Sequence, residues 1–155
     1  MKESSGGFKL YNVIFPVWML LLFPAVWLVV FPGNFIIDSL VLIAAMFYLK
    51  IEDKKAWYKK HILKIFAFGM ISDMIGSLFL LLVLYITGWL GIDVITADGV
   101  MYTVPAPLLA ALLIYVFNYY VTFKKAENPV RRQTSLIFAI VTAPYTFLIP
   151  ISWMY

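Results

Sequence analysis

The chain alternates between long apolar runs and short segments that hold charges and turn residues. Most runs approach the roughly 20 residues that cross about 30 Å of hydrocarbon as an α-helix. The second run is short, and only Pro32-Gly33 separates it from the first, so three arrangements are open: it lies obliquely, it runs on through Lys50 with a snorkelling side chain, or it forms a tight pair with the first. The pattern predicts an all-α membrane bundle in one domain, residues 1–155, with five transmembrane helices at about 12–31, 34–49, 65–89, 105–123 and 136–153.

The polar segment at residues 92–104 has a different pattern. Asp98-Gly99 lies between two runs rich in β-branched residues, which is typical of a hairpin turn. The sequence therefore predicts a short β-hairpin with strands around Val94 and Tyr102. The alternative is an irregular loop, because two short strands alone are only marginally stable in water.

Composition supports the membrane assignment. Hydrophobic residues make up 64% of the 155 residues and charged residues 13%, against roughly 45–50% and about 25% in soluble domains. An ordinary soluble fold is therefore excluded. The chain has no cysteine, so disulfides and thiolate chemistry are excluded as well. The N-terminal segment has no small-x-small cleavage site, so we expect the first span to be retained.

The basic residues indicate an orientation. All twelve Lys and Arg lie within residues 2–9, 50–64 and 124–132. The positive-inside rule places these segments in the cytoplasm, which predicts a cell membrane protein, bacterial by its brevity, with a cytoplasmic N-terminus and an external C-terminus. The absence of a basic face excludes nucleic acid as a partner. His61, the only histidine, lies in the second basic segment and is predicted to be a solvated side chain at the lipid interface.

A polar stripe runs along the third span, where small and polar residues fall on one helical face. It comprises Gly69, Ser72, Asp73, Gly76 and Ser77. A carboxylate is poorly tolerated by lipid, so Asp73 is expected to face protein. The fourth and fifth spans have similar stripes, which predicts a shared polar seam in which Asp73 contacts Asn118, Thr142 or Tyr145.

Asn34 and Asp38 add a second polar pair, four residues apart near the outer end of the second span. At 1.5 Å per residue, Asp38 lies about 6 Å from the outer edge and Asp73 about 12 Å from the inner edge. Roughly 12 Å of a 30 Å core would then separate them. The sequence therefore predicts that the two acids do not form a dyad.

Prolines interrupt the first and fifth spans, at positions 16 and 24 and at positions 144 and 150. Each removes a backbone donor and frees a carbonyl, which neighbouring polar groups must satisfy. Asn118, Tyr119, Thr142 and Tyr145 are the candidates for this structural role. The alternative is a substrate or ion site where the helices open.

The leading hypothesis is transport or permeation of an ion or small solute through the seam around Asp73, without a cofactor, metal or catalytic residue. A protonated Asp73 that joins helices by hydrogen bonding is the structural alternative. A further alternative is a non-catalytic accessory, immunity or sensor subunit, in a homo-oligomer or a larger membrane complex. The remaining functional alternative is an intramembrane aspartyl hydrolase. The candidate ligand or ion-binding residues are Asp73, Ser72, Ser77, Asn118, Thr142, Tyr145, Asp38 and Asn34.

Overall fold

A computed structural model describes residues 24–91 and 100–148 of the chain. Over these residues the protein is 86% helical and has no strands, which confirms the all-α class. The chain also has a π-helical segment, Asn118–Thr122, and a 3-10 segment, Tyr145–Leu148. The α-helices are Pro24–Tyr48 (α1), Lys54–Trp89 (α2), Val100–Thr103 (α3), Pro105–Phe117 (α4) and Asn128–Val141 (α5).

Three helical stretches within the described residues are long and apolar enough to cross a membrane. They are Trp27–Tyr48, Lys54–Trp89 and Met101–Thr122, the last of which combines α3, α4 and the π segment. Three is fewer than the five predicted spans. Part of the first predicted span and the end of the fifth lie outside the described residues, at 12–23 and 149–153.

The predicted break at Pro32-Gly33 is wrong, because α1 continues through it with Pro32 inside the helix. An internal proline removes one helical hydrogen bond, a loss that packing against neighbouring helices makes tolerable in a membrane span. The predicted second span is therefore the C-terminal part of α1. This shift brings Asp38 from a helix end to the middle of the apolar stretch Trp27–Tyr48, eleven residues after its start and ten before its end.

The basic segment before the third predicted span is also helical. It forms the first turns of the 36-residue α2, capped by Asp53, whose Oδ1 accepts a hydrogen bond from the amide of Ala56 at 3.2 Å. At 1.5 Å per residue, α2 is about 54 Å long, well beyond a 30 Å hydrocarbon core. We call this end of the bundle the basic end, defined by Lys50, Lys54, Lys55, Lys59, Lys60, Lys64, Lys124, Lys125, Arg131 and Arg132.

Aromatic packing closes the basic end. Trp57 stacks on Phe123 with ring centroids 5.2 Å apart, and His61 lies 4.5 Å from Trp57 and 5.1 Å from Phe123. His61 is only 3% exposed, and its Nδ1–H donates to the Trp57 carbonyl at 2.8 Å. The prediction of a solvated His61 is therefore wrong. Helical continuation of the basic segment places it on the same buried face as Ile62 and Ile65, while the neighbouring lysines point outward.

The opposite end is held by a contact between α2, α4 and the 3-10 segment, where Leu80, Ala106 and Phe147 are buried together. Gly76 makes this approach possible. A Cβ atom at Gly76 would lie 2.9 Å from the Phe147 ring and 3.1 Å from the Cβ of Ala110, both shorter than ordinary van der Waals contact. Small residues allow helices to approach this closely in membranes.

The prediction of a second hairpin strand around Tyr102 is also wrong, because Tyr102 lies in the helix Val100–Thr103. This short helix packs against α2 and leads into α4, which begins with Pro105. Packing against a neighbouring helix outweighs the weak strand preference of its valine, tyrosine and threonine. The first strand, around Val94, and the turn at Asp98-Gly99 lie outside the described residues.

Candidate functional site: a cavity with two carboxylates

A cavity of about 360 Å³ lies between α1, α2 and the chain that follows α5. Its polar lining comes from all three elements, and its apolar lining includes the thioether of Met70. Five of the eight candidate residues predicted from the sequence line it: Asn34, Asp38, Asp73, Thr142 and Tyr145. The other lining residues are Val30, Ile37, Gly69, Met70, Val141, Ala143, Pro144 and Thr146.

Helical spacing explains how α1 and α2 face the cavity. On α1, Asn34 and Asp38 are one turn apart and therefore share a face. On α2, Gly69 and Asp73 have the same spacing. A Cβ at Gly69 would lie 3.7 Å from Oδ2 of Asp38, so the missing side chain leaves room for the Asp38 carboxylate against α2.

Asp38 and Asp73 thus line one cavity, from α1 and α2 respectively. The predicted depth of Asp38 is wrong, whereas the prediction that the two acids do not form a dyad is not contradicted, because Oδ1 of Asp73 has no hydrogen-bond partner. The depth of Asp38 was counted from a helix start at residue 34, whereas α1 begins at Pro24. With the longer helix, both carboxylates fall in the central part of the bundle.

Neither carboxylate is neutralised by its surroundings in the described part of the chain. Oδ1 of Asp73 is buried without a hydrogen-bond partner, and Asp38 is 6% exposed. The described cavity lining includes no Lys, Arg or His. Two ionised carboxylates at such a site repel each other, and a proton or a bound cation relieves the repulsion.

The third wall is a break in the helical structure. α5 ends at Val141, well before the end of the predicted fifth span at residue 153, because Pro144 has no N–H to continue the helix. Thr142 closes the helix: its amide donates to the Phe138 carbonyl at 2.9 Å and its hydroxyl donates to the same oxygen at 2.8 Å. The C-terminal end of a helix has a partial negative charge, and here it borders the cavity.

Two of the three hydroxyl groups that line this wall, those of Thr142 and Tyr145, have already donated their hydrogens and are left as acceptors. Thr142 donates its hydroxyl hydrogen to Phe138, and Tyr145 donates its own to the Ile140 carbonyl. On α1, the Asn34 amide directs one N–H to the sulfur of Met70 at 3.2 Å. Oxygen lone pairs therefore dominate the polar surface, and two of the groups are carboxylates. This arrangement favours a positively charged occupant that donates hydrogen bonds.

The other three predicted site residues do not line the cavity. Ser72 and Ser77 are fully buried, and their hydroxyls donate to carbonyls one turn back in α2, of Phe68 at 2.7 Å and of Asp73 at 2.9 Å. Asn118 is also buried, in the π segment, where neither its Oδ1 nor its Nδ2 has a partner. Asp73 lines the cavity together with Thr142 and Tyr145, whereas Asn118 is not part of it.

Several lining residues were missed by the sequence analysis. Val30 and Ile37 share a face with Asn34 and Asp38 once α1 is recognised as one helix, so their spacing held a usable signal. Met70 is indistinguishable in the sequence from its apolar neighbours on α2, and no pattern singled it out.

Comparison with known proteins finds no matching family, no matching curated protein and no matching solved structure. Among the described residues, no group of three or more His, Cys, Asp and Glu is placed to hold a metal ion. The chemistry of the cavity is therefore the basis on which a function is inferred.

Proposed function

We propose that the protein binds a cation within the membrane and takes part in its transport. The observation that carries this proposal is the pair Asp38 and Asp73, which line one cavity without a basic residue in its described lining. A buried pair of carboxylates is unfavourable when both are ionised and unoccupied, so a cation that neutralises them gains strong electrostatic attraction.

The interruption after α5 supports a transport role. Discontinuous helices with polar ends near the middle of the membrane are where many transporters hold ions and substrates. Here the break at residues 142–144 borders the cavity, and Asp38 lies at the middle of the Trp27–Tyr48 stretch. Intramembrane acids of this kind most often mark an ion or substrate pathway.

We further propose that the basic end faces the cytoplasm of a cell membrane. Ten of the twelve Lys and Arg lie in its two segments, 50–64 and 124–132. An external C-terminus follows if α5 and the 3-10 segment together make one interrupted crossing. The predicted cytoplasmic N-terminus and the count of five then require a further crossing before α1. A cysteine at position 59 should be labelled only from the cytoplasmic side, and external labelling would reverse this orientation.

Cation binding is testable with the purified full chain in detergent. The temperature of unfolding should be measured in sodium chloride, potassium chloride, lithium chloride, methylguanidinium chloride and at acid pH. A cation that binds only the folded protein stabilises it by about 2.7 kcal/mol at 100 times its dissociation constant. At least one should raise this temperature in the wild type, and the effect should disappear in Asp38→Asn and Asp73→Asn.

Asp53→Asn is the matched control, because Asp53 is an exposed helix cap and asparagine caps a helix equally well. The same cation should move across proteoliposomes that contain the wild type or this control, and not across those with either cavity variant. A cation effect that persists in both cavity variants, or the absence of any cation effect, would reject the proposal.

An intramembrane aspartyl hydrolase is the second candidate, because the two acids share a cavity. Hydrolysis by an acid pair requires one carboxyl to activate water while the other donates a proton. A peptide with a hydroxymethylene group in place of the scissile amide should then stabilise the wild type more than any simple cation does. The accessory, immunity or sensor role gains no specific support, since the exposed apolar side chains of the described helices are those that lipid contact requires.

A further inference from the structure

We infer that the cation held in the cavity is a small organic cation with N–H donors, an ammonium or a guanidinium with a short apolar portion. This inference rests on the proposed cation binding and specifies its ligand. It is carried by three properties of the cavity: its volume, the shortage of donors on its polar surface, and the apolar side chains that complete its walls.

The volume exceeds what a bare ion fills. The cavity measures about 360 Å³, whereas one water occupies about 30 Å³ of liquid, so there is room for roughly a dozen waters. A dehydrated monovalent ion takes up less space than one water and leaves most of this volume unfilled. A compact organic molecule of several heavy atoms can reach α1, α2 and the chain after α5 at once.

The polar surface requires donors from its ligand. The carboxylates of Asp38 and Asp73 accept hydrogen bonds, and the hydroxyls of Thr142 and Tyr145 have already donated theirs to backbone carbonyls. An ammonium has three N–H donors and a guanidinium has five, so either has enough donors for both carboxylates and a hydroxyl oxygen. Charge-assisted hydrogen bonds of this kind are about twice as strong as neutral ones.

The remaining walls suit an apolar portion of the ligand. Val30 and Ile37 of α1 face the cavity, with Met70 of α2 and Val141 and Pro144 near the end of α5. Most small-molecule sites have this composition, in which apolar walls surround a few polar groups that fix orientation. Hard metal cations prefer six to eight oxygen ligands, which walls of this kind do not supply.

Binding measured by isothermal titration on the full chain in nanodiscs tests the inference. The probes are methylguanidinium, butylammonium, tetramethylammonium and sodium, all as chlorides. Tetramethylammonium keeps the charge and an organic body but has no N–H donor. We expect methylguanidinium or butylammonium to bind the wild type at least tenfold more tightly than tetramethylammonium or sodium.

Asp38→Asn and Asp73→Asn should each lower the affinity for the preferred probe at least tenfold, with helical content and elution volume unchanged. The control Asp53→Asn should bind the probe as tightly as the wild type does. If sodium binds as tightly as the organic probes, or tetramethylammonium as tightly as butylammonium, the inference is overturned while cation binding stands. If no probe or other cation binds, the inference and the proposed function both fail. If Asp53→Asn also lowers the affinity for the preferred probe, the assignment of the binding site to this cavity is overturned.

Discussion

Gly69 and Gly76 lie seven residues apart on the same face of α2, and their surroundings are opposite. Gly69 borders the cavity, where an added Cβ would meet one neighbour, the Asp38 carboxylate, at an ordinary 3.7 Å. Gly76 lies in a closed contact, where an added Cβ would come within 3.1 Å of both Phe147 and Ala110. One helix face therefore passes from an open polar site to tight packing within two turns.

The comparison indicates how the open site is maintained. Phe147 lies three residues after Pro144, and its buried ring fixes the 3-10 segment against α2 and α4. That contact determines the position of the chain at residues 142–145, the third wall of the cavity. A space with two unpaired carboxylates contributes little to stability, so the neighbouring packed contact must hold it open.

Loss of the Phe147 ring should have the largest effect. Phe147→Ala removes a side chain that is 1% exposed, and truncation of a buried phenylalanine costs about 3–5 kcal/mol. Because the same ring positions the third wall, cation binding should weaken as well. Unfolding in mixed micelles followed by tryptophan fluorescence gives the stability, and Leu82→Ala, at a residue 53% exposed, is the control. Equal losses in the two variants would show that Phe147 does not anchor the segment.

Crowding at Gly76 should have the next largest effect. Gly76→Ala places a methyl group 3.1 Å from the Cβ of Ala110, and overpacking of this kind costs about 1–3 kcal/mol. Gly88→Ala is the matched control, because nothing lies within 4 Å of a Cβ there and alanine favours the helix by up to about 1 kcal/mol. Phe147→Leu in the Gly76→Ala background should recover part of the loss. A stabilising Gly76→Ala would contradict the close approach.

A leucine at Gly69 should separate binding from stability. Its side chain extends into the cavity rather than into packed neighbours, so the free energy of unfolding should change by less than about 1 kcal/mol. Cation affinity should fall at least tenfold because the leucine occupies the space beside Asp38. The unfolding and titration experiments above measure both quantities. Destabilisation as large as that of Gly76→Ala would mean that the cavity region is packed and not open.

Part of this architecture was predictable from the sequence. The cost of a carboxylate in lipid and the helical period of the polar stripe place Asp73 against protein, in a cavity shared with Thr142 and Tyr145. The position of Asp38 was not predictable, because Pro32-Gly33 reads locally as a break and packing with α2 and α5 decides that α1 continues through it. The depth of Asp38, and hence the acid pair, depended on that decision.

Two further differences between the sequence analysis and the structure have a similar origin. Ser72 and Ser77 bond to carbonyls of their own helix, so a count of polar residues on one face overstated the seam. His61 is buried because α2 extends back through the basic segment, which local composition did not reveal. In each case the sequence shows that a polar residue is present, but not which group it contacts. That partner is a carbonyl of the same helix for the serines and the packed aromatic rings for the histidine.

The smallest effect concerns the ends of α1 and α2, where the glycine comparison extends to backbone conformation. A residue with positive φ lies two positions after the end of each helix, Lys50 at 53° after α1 and Gly91 at 71° after α2. After α1, the amide of Ile51 donates to the Met46 carbonyl at 3.0 Å and that of Lys50 to the Phe47 carbonyl at 3.3 Å. This is the Schellman arrangement, which usually places glycine where Lys50 lies.

Lys50→Gly should therefore stabilise the protein by up to about 1 kcal/mol, since glycine adopts positive φ without a steric cost. Gly91→Lys should destabilise it by a similar amount, because nothing lies within 4 Å of a Cβ there and backbone strain alone opposes the lysine. Because the two variants should change the free energy of unfolding in opposite directions, each serves as the control for the other when unfolding is measured in mixed micelles. If Lys50→Gly destabilises instead, the lysine side chain contributes more at the basic end, through its charge or its methylenes, than its backbone conformation costs.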